Sequence, residues 1–538
     1  MTSIYQLTKE EGDALSTLCR DDGYTFVDND LTVKTSNLQA PNLGAIVNLV
    51  QSLECMVGQK VKTEKVHQSE VDSALDDLTR QRTSNKDKTQ LNAVEKQLRS
   101  LCQTAVNENS SDVHVLTTRE STKFLIRVHG TRKFIERFAD NQNAKNQPRQ
   151  VGLMLIDYVF STLGNLDIQY QRPANDRFEI DLVVEGKSRT FEWRAGLIPT
   201  FDGPKLTLRC LTPKDKVRAL EDMDLPAPYV ETLERMVHKR QGAIVVTGPM
   251  GGGKSSLVHA MLEKVDRTAR NVHSLEDPVE FSQENVCKTQ VTPNQETYDG
   301  SGVYLDYAFY CKETLRHDVD VSNIGEIRET LTAIEFCRKA ETGGLAIATL
   351  HTNSAMSVPQ TFIRQLKVPA AIVGAPDLMA LFVHQKLVRT LCPHCAFSYA
   401  EREEEYVRST YKKYGINSLD FKVGQLQKLC SEQELQSVKI LNPDGCEKCD
   451  FLGESGRASV MELIVLDDED RKFIIKEDTH GWKQHLLDRG WVDIKDHTKF
   501  RIVKGQVDIL SASEQVDNLV PIPVSDIYHE MRGALQCK

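Results

Sequence analysis

The stretch that decides the fold is AIVVTGPMGGGKSSLVHAML, residues 243–262. Its first five residues are apolar or β-branched and predict a buried strand. The glycines that follow predict a loop, and SSLVHAML predicts a helix. The pattern G-x-x-x-x-G-K-S falls on Gly248, Pro249, Met250, Gly251, Gly252, Gly253, Lys254 and Ser255, with Ser256 next in line. The chemistry of this pattern needs that strand–loop–helix setting. Backbone N–H groups of the loop turn inward to cradle phosphate, Lys254 supplies a positive charge, and the Ser255 hydroxyl can ligate Mg²⁺.

Downstream, short apolar strands alternate with longer helical segments. The strands are NVHSL from 271, DVSNI from 320 and LAIATL from 345, and TLTAIEFCRKAE at 330–341 is one of the helices. This alternation predicts parallel strands with crossover helices, a doubly wound α/β sheet. Ligands of such sheets sit at the carboxyl ends of the strands. Reactive residue types stand there in each case. Glu276-Asp277-Pro278-Val279-Glu280 follows the second strand, Gly325-Glu326-Ile327-Arg328 the third, and Thr349-Leu350-His351-Thr352-Asn353 the fourth. The clustered acids suit a metal or a polarised water, and Glu326 can orient water or hold Mg²⁺. His351 could contact a γ-phosphate or sense its loss. A solvated loop, a surface glutamate and a structural histidine are the plain alternatives.

At about 150 residues per domain, 538 residues predict three or four domains. With 40% hydrophobic and 27% charged residues the chain reads as globular, neither disordered nor collagenous. Its net charge of −10 gives no electrostatic reason to expect nucleic acid. MTSIYQLTKEEGD carries acids where a signal peptide carries bases, and the most apolar run, 370–383, is broken by Pro376 and Asp377, so a cytoplasmic protein is expected. Residues 61–109 are polar with helical periodicity, as in SEVDSALDDL and LNAVEKQLRS, and predict solvated helices. DVHVL, KFLIRVHG, RFEIDLVVEG and KSRTFEWRA alternate with period two around a helix-like segment at 151–163. They predict an α+β domain with one dry sheet face. The expected division is an N-terminal module with helical linker over 1–106, the α+β domain over 107–213, a linker over 214–228, and the α/β domain over 229–538.

Thirteen cysteines, an odd number, argue for reduced thiols. Cys392-Pro-His-Cys395 and Cys446-Glu-Lys-Cys449 form two C-x-x-C knuckles that suit a tetrahedral Zn²⁺. The interval between them exceeds the usual 15 to 20 or so residues, so the insert, including RSTYKKYGI, is expected to loop out. His394 is an alternative ligand, and unpaired buried thiols are the plain reading. Four thiolates leave no open position, which makes this metal structural.

The order GPMGGGKSS, LEDPVE, IGEIRE, ATLHTN, QKLVRTLCPHC, GCEKC and ESGRASVMEL resembles the secretion ATPase superfamily of type II secretion and type IV pilus assembly. SDVH at 111 and GNLDIQYQRPANDRFEI at 164 are similar to the family's second N-terminal domain, so the resemblance runs from Ser111 to Leu463. It implies a RecA-like P-loop core, a PAS-like α+β domain before it, a small N-terminal module and a zinc-knuckle insertion at about 390–465. It implies ATP, Mg²⁺ and structural Zn²⁺ as cofactors. Lys254 and Ser255 would bind phosphate and Mg²⁺, and the acids Glu276, Asp277 and Glu280 would centre on Glu280 as general base. Glu326 would be the metal-side carboxylate, with His351 in the histidine box. Arg177, Arg194 and Arg209 match arginines that complete the nucleotide site in hexameric rings.

The sequence departs from the family pattern in several places. Ser322 and Asn323 interrupt the expected hydrophobic strand, Glu329 replaces Asp, Asn175-Asp176-Arg177 replaces an Asp-Gly-Arg turn, and Ser256 replaces Thr. The chain looks like the type IVb pilus group, which includes the bundle-forming pilus ATPase. The expectation is a homohexameric pilus-extension ATPase, peripheral at the bacterial inner membrane. It would reach the membrane only through an inner-membrane platform protein and cytoplasmic accessory pilus proteins, and would not bind nucleic acid. Type II secretion and pilus retraction motors, a nucleic-acid translocase and a non-hydrolysing scaffold are the rivals.

Overall fold

The computed structural model describes residues 15–536 apart from 16–17, 20–21, 29, 54–55, 57–59, 69, 72–73, 75–92, 129, 165, 167, 213–215, 299 and 522. The N-terminal stretch MTSIYQLTKEEGD, most of the charged helical segment expected between 61 and 92, and the start of the linker at Lys214 lie outside the described residues. A small N-terminal unit pairs β1 (Thr25–Val27) with β2 (Val33–Thr35) antiparallel and β2 with β3 (Thr63–Lys65) in parallel. Ile46 and Val50 of the helix Leu43–Ser52 are buried in its core.

Seven strands make the next sheet: β4 (Asp112–Thr117), β5 (Ser121–Val128), β6 (Thr131–Phe134), β7 (Gln147–Pro148), β8 (Ala174–Val184), β9 (Lys187–Thr200) and β10 (Gly203–Cys210). Their order is β6-β5-β4-β10-β9-β8, with β7 beside β5, and all pairs are antiparallel. Alternate residues such as Val113, Ile126, Trp193 and Leu208 face a core, which is the period-two pattern expressed in space. The segment read as helical at 151–163 is an α-helix, Arg149–Asp157, that continues as a π-helix, Tyr158–Leu163. The solvated-helix expectation is corrected at 93–107. That helix buries Leu98, Leu101, Cys102 and Ala105 in the sheet's core, because its apolar residues recur on one face.

A second seven-stranded sheet forms the centre of the larger unit. Its strands are β11 (Gly242–Thr247), β12 (Val272–Glu276), β13 (Val286–Gln290), β16 (Val321–Ile324), β17 (Leu345–Leu350), β18 (Met379–Leu391) and β21 (Glu454–Val465). Small pairs, β14 (Thr292–Glu296) with β15 (Tyr304–Leu305) and β19 (Phe397–Ser398) with β20 (Lys439–Ile440), stand apart from it. The order is β13-β12-β16-β17-β11-β18-β21, parallel except for the antiparallel edge β18–β21. Both faces are covered. Ala243 and Val245 of β11 enter one core with Ala333 and Phe336 of the helix Thr330–Glu341. Ile244 and Val246 enter the other with Leu257 and Met261 of the helix Lys254–Glu263. This two-sided burial is why β11 and β17 read as unbroken apolar runs. Ser322 and Asn323 do not interrupt β16, which runs through them; the Asn323 amide donates to Ser274 Oγ at 2.8 Å and so satisfies a buried polar group.

Between the knuckles, the insert is a packed unit rather than a bare loop. Tyr399, Val407, Leu419, Leu426 and Ile440 share a core with Ile502, Val507 and Ala512 from the C-terminal helices. Lys422 and Asp508, both buried, pair at 2.7 Å across that junction. The apolar run 370–383 divides into the short helix Ala370–Val373 and the start of β18. Among the described residues no helix is long and apolar enough to cross a membrane.

Candidate active site

Strand β11 is fully buried and delivers its end directly into the glycine loop. Gly248 has φ of +149°, and a Cβ there would lie 2.1 Å from the Gln385 carbonyl oxygen, so no side chain fits. Gly253 holds a left-handed φ of +83° and occupies the cap position of the helix Lys254–Glu263 with no side-chain cap. The first-turn N–H groups, with Ser255 and Ser256 beside them, are therefore left for an anion. Gln385 Nε2 donates to the Gly252 carbonyl at 2.8 Å and braces the loop from β18. Lys254 is 9% exposed and donates to the carbonyls of Gly248 and Pro249 at 3.0 Å each. Burial lowers its pKa, while the charges of Glu326 and Glu280 oppose that shift. Met250 and Gly251 form the exposed lip.

Three strand ends bring their reactive residues to this loop. Glu326 accepts from Arg328 at 2.6 Å through one oxygen and lies 3.2 Å from His351 Nε2 through the other. Burial works against its charge, but Arg328, His351 and Lys254 together hold its carboxyl below the usual range. Glu276, 4% exposed, is bonded on every side: Ser274 Oγ at 2.6 Å, Lys288 Nζ at 2.9 Å, His259 Nε2 at 3.3 Å and the Glu280 backbone N–H at 3.1 Å. Those donors outweigh its burial and lower its pKa to about 2. Asp277 and Glu280 are exposed. Glu280 is thus open to a ligand, whereas Glu276 is engaged inside the protein.

Sequence reasoning did not assign roles to Arg328, His259, Lys288 or Gln385. Arg328 was legible, since it follows Glu326 by two residues. Lys288 and Gln385 reach the site from other strands, and His259, though on the phosphate-loop helix, carries no motif that marks it.

The three arginines suggested by resemblance lie far apart in sequence and adjacent in space. Arg177 on β8 is directly opposite Arg194 on β9, which is directly opposite Arg209 on β10. The segment Asn175-Asp176-Arg177 is strand rather than turn. All three are exposed on the face away from the core. Like charges directly opposed across strands are unfavourable. Arg177 is offset by Glu192 at 3.2 Å and Arg209 by Asp112 at 2.7 Å. Both ion pairs stay within the sheet domain. Among the described residues, Lys133 of the sheet domain reaches Asp450 beside the second knuckle at 3.3 Å.

Cys392, Cys395, Cys446 and Cys449 converge, with all four sulfurs within 4.8 Å of one another. Three of the sulfur pairs, 392–446, 395–449 and 446–449, are 3.8 Å apart. A tetrahedron of thiolates around zinc at about 2.3 Å has an edge of roughly 3.8 Å, so the cluster fits such an ion. Cys449 Sγ also accepts N–H groups of Cys446 and Gly453 at 3.2 Å, which favours its thiolate form. The four residues can hold a metal ion.

A buried strand, a glycine cradle with a buried lysine, an uncapped helix start and acids at the neighbouring strand ends define a protein of the P-loop ATPase class. The particular family follows from comparison: the model of the type II/IV secretion system protein family matches residues 87–517, and the chain belongs to that family. It is 29% identical over 371 residues to type II secretion system protein E of Dickeya dadantii, covering 69% of this chain and 65% of the relative. It is 28% identical over 373 residues to the type II secretion system ATPase E of Vibrio cholerae, with the same coverage of each. Against the type IV pilus assembly ATPase PilB of Thermus thermophilus it is 27% identical over 388 residues, covering 71% of this chain and 38% of the relative. The chain thus spans 65% of the first two relatives and less of the third. The fold resembles that of the Legionella pneumophila ATPase DotB, with a TM-score of 0.51 and 16% identity over 77% of this chain and 93% of that one.

Proposed function

We propose that this protein is an ATP-hydrolysing motor that powers type IV pilus extension as a homohexamer at the cytoplasmic face of the bacterial inner membrane. The observation that carries the reading is the uncapped phosphate loop with Lys254 buried in it and Glu326 at the end of the third strand, held by Arg328 and His351. The loop N–H groups and Lys254 would hold the β- and γ-phosphates, and Ser255 with Glu326 would hold Mg²⁺, which when bound supplies positive charge against the phosphate oxygens. Glu280 accepts a proton from a water whose oxygen attacks the γ-phosphorus. The bond to the β-phosphate oxygen breaks, and ADP and phosphate leave. The arginine row Arg177–Arg194–Arg209 supplies guanidinium groups to the nucleotide of an adjacent subunit, and this is the partner that its mutual repulsion calls for. Opening and closing of that cleft turns hydrolysis into displacement. The N-terminal unit docks on the inner-membrane platform and accessory proteins, so membrane contact runs through partners.

The name of the Thermus relative supports pilus assembly, and the tetracysteine cluster supports extension over retraction. A second reading, a type II secretion motor, is favoured by the names of the Dickeya and Vibrio relatives. A chromosomal deletion complemented with wild type or Lys254→Ala separates them. Loss of filaments with exoprotein export intact, rescued only by wild type, is the expected result. Lost export with normal filaments overturns pilus extension in favour of secretion, and filaments that form but do not retract overturn it in favour of retraction.

The ion at the four cysteines is zinc with a structural role. One zinc per chain is expected by X-ray fluorescence. Its removal by chelation should lower the unfolding temperature by about 5–10 °C, since the knuckles join β18 to β21 across the insert. A folded, active preparation without zinc refutes the assignment.

A further inference from the structure

His259 lies on the phosphate-loop helix, five residues after Lys254, and is 1% exposed. Its imidazole is clasped on three sides by the segment that carries Glu280. Nε2 is 3.3 Å from Glu276 Oε2, the ring packs on Phe281 with centroids 5.0 Å apart, and Nδ1 is 2.6 Å from Gln283 Oε1. The orientation of the Gln283 amide is set independently. Its nitrogen donates to the His259 carbonyl at 3.1 Å and to Glu263 at 2.6 Å, which leaves its oxygen facing the imidazole. Glu276 Oε2, the oxygen that meets His259, also accepts the backbone N–H of Glu280. The other oxygen is held by Ser274, itself bonded to Asn323 of β16, and by Lys288 of β13. Lys288 Nζ also stands 3.4 Å from His259 Nδ1. Residues 276, 281 and 283 are therefore tied to one side chain, with Glu280 between them.

We propose that His259 and Glu276 are positioning residues that fix Glu280 relative to Lys254, tying the loop that carries the base to the helix that carries the phosphate cradle. The proposal rests on the reading of Glu280 as the general base. A carboxylate that must meet one water oxygen loses effectiveness when its loop is free to move, because the correct geometry is then occupied for only part of the time. The lysine lies on the same helix as His259, so the distance between base and phosphate is set by a short, buried connection rather than by the segment Asp277–Val279 alone. The buried carboxylate of the acid segment serves geometry, and the exposed one serves chemistry.

The test compares His259→Ala and the double variant Glu276→Gln/Lys288→Met with two controls, Val258→Ala and Glu280→Gln. The double variant removes the Glu276 charge without leaving Lys288 buried and unpaired. Val258 is buried on the same helix in the opposite core, so its truncation lowers stability without touching the clasp. The readouts are kcat, nucleotide Kd, unfolding temperature and amide exchange of the 277–284 stretch. His259→Ala and the double variant should lower kcat about 10- to 100-fold, with Kd changed less than about threefold. They should speed exchange in 277–284 at least about tenfold, reporting the freed Glu280 N–H. Val258→Ala should change unfolding temperature alone. Wild-type exchange in His259→Ala overturns the proposal, as does faster exchange with wild-type kcat, or loss of kcat in Val258→Ala in proportion to its stability. If Glu280→Gln hydrolyses ATP at the wild-type rate, the base reading falls and this proposal with it. An inactive Glu280→Gln beside slow exchange in His259→Ala removes the proposal alone.

Discussion

Replacing Lys254 with alanine should lower phosphate release by about a thousandfold, the scale of losing a preorganised charge from a transition state in which oxygens gain negative charge. The structure suggests a loss at the upper end of that scale. Lys254 is buried at the loop, and the charges of Glu326 and Glu280 act on it. Alanine removes the ammonium and leaves those negative charges unopposed there, so the triphosphate loses attraction and meets repulsion. The helix itself should survive, because alanine is the strongest helix former and the lysine's bonds go only to loop carbonyls. Phosphate release and nucleotide affinity should therefore both fall while the unfolding temperature changes little; a wild-type rate would end the enzyme reading. A Lys254→Ala chain still carries its arginine row. Mixed with Arg194→Ala chains, which keep an intact cradle, it should recover part of the lost activity if arginines act across a subunit boundary. No recovery at any ratio would show that they do not.

Glu326→Gln should cost about a hundredfold in kcat with a much smaller change in nucleotide affinity, because the side chain keeps its volume and loses its charge. The effect has two sources. In the proposed role the carboxylate would hold Mg²⁺, and it is the common partner of His351 at 3.2 Å and Arg328 at 2.6 Å. Glutamine keeps one acceptor oxygen where the carboxylate has two, so it cannot accept from both Arg328 and His351, and it leaves Arg328 without its counter-charge. The Mg²⁺ concentration giving half-maximal activity should rise for Glu326→Gln and stay near wild type for His351→Ala, which touches only one oxygen of the carboxylate. An unchanged Mg²⁺ requirement in Glu326→Gln would remove the metal role and leave only the orientation of His351.

The phosphate cradle was readable because all of its parts are contiguous. Strand, glycine loop, lysine and helix occupy residues 242–263, and each is dictated by local preference: apolar β-branched residues, glycines at positive φ, and a helix start with no side-chain cap. The parallel sheet was readable for a related reason, since strands buried on both faces must be apolar throughout. The spacing of the C-x-x-C pairs indicated a metal knuckle, yet only the pairing of β18 with β21 sets the sulfurs 3.8 Å apart. The insert between the knuckles could not be read as a packed unit, because its apolar partners, Ile502, Val507 and Ala512, lie more than sixty residues beyond Ile440.

By itself the sequence determined that this chain holds a phosphate loop, in a parallel α/β sheet whose strand ends carry acids and a histidine. Tertiary structure decided which acid is available. Glu276 and Glu280 are four residues apart in one motif and look equivalent by residue type, the resemblance alone favouring Glu280. His259, Lys288 and Ser274 occupy both oxygens of the first, while the second is exposed. Tertiary structure also set Arg177, Arg194 and Arg209 in one row, because antiparallel register brings together residues that sequence separation hides. The physical reason is the same in both cases. Local conformation follows from each residue's own backbone and side-chain preferences, whereas burial, charge partners and alignment depend on atoms delivered by other elements, which no local pattern records.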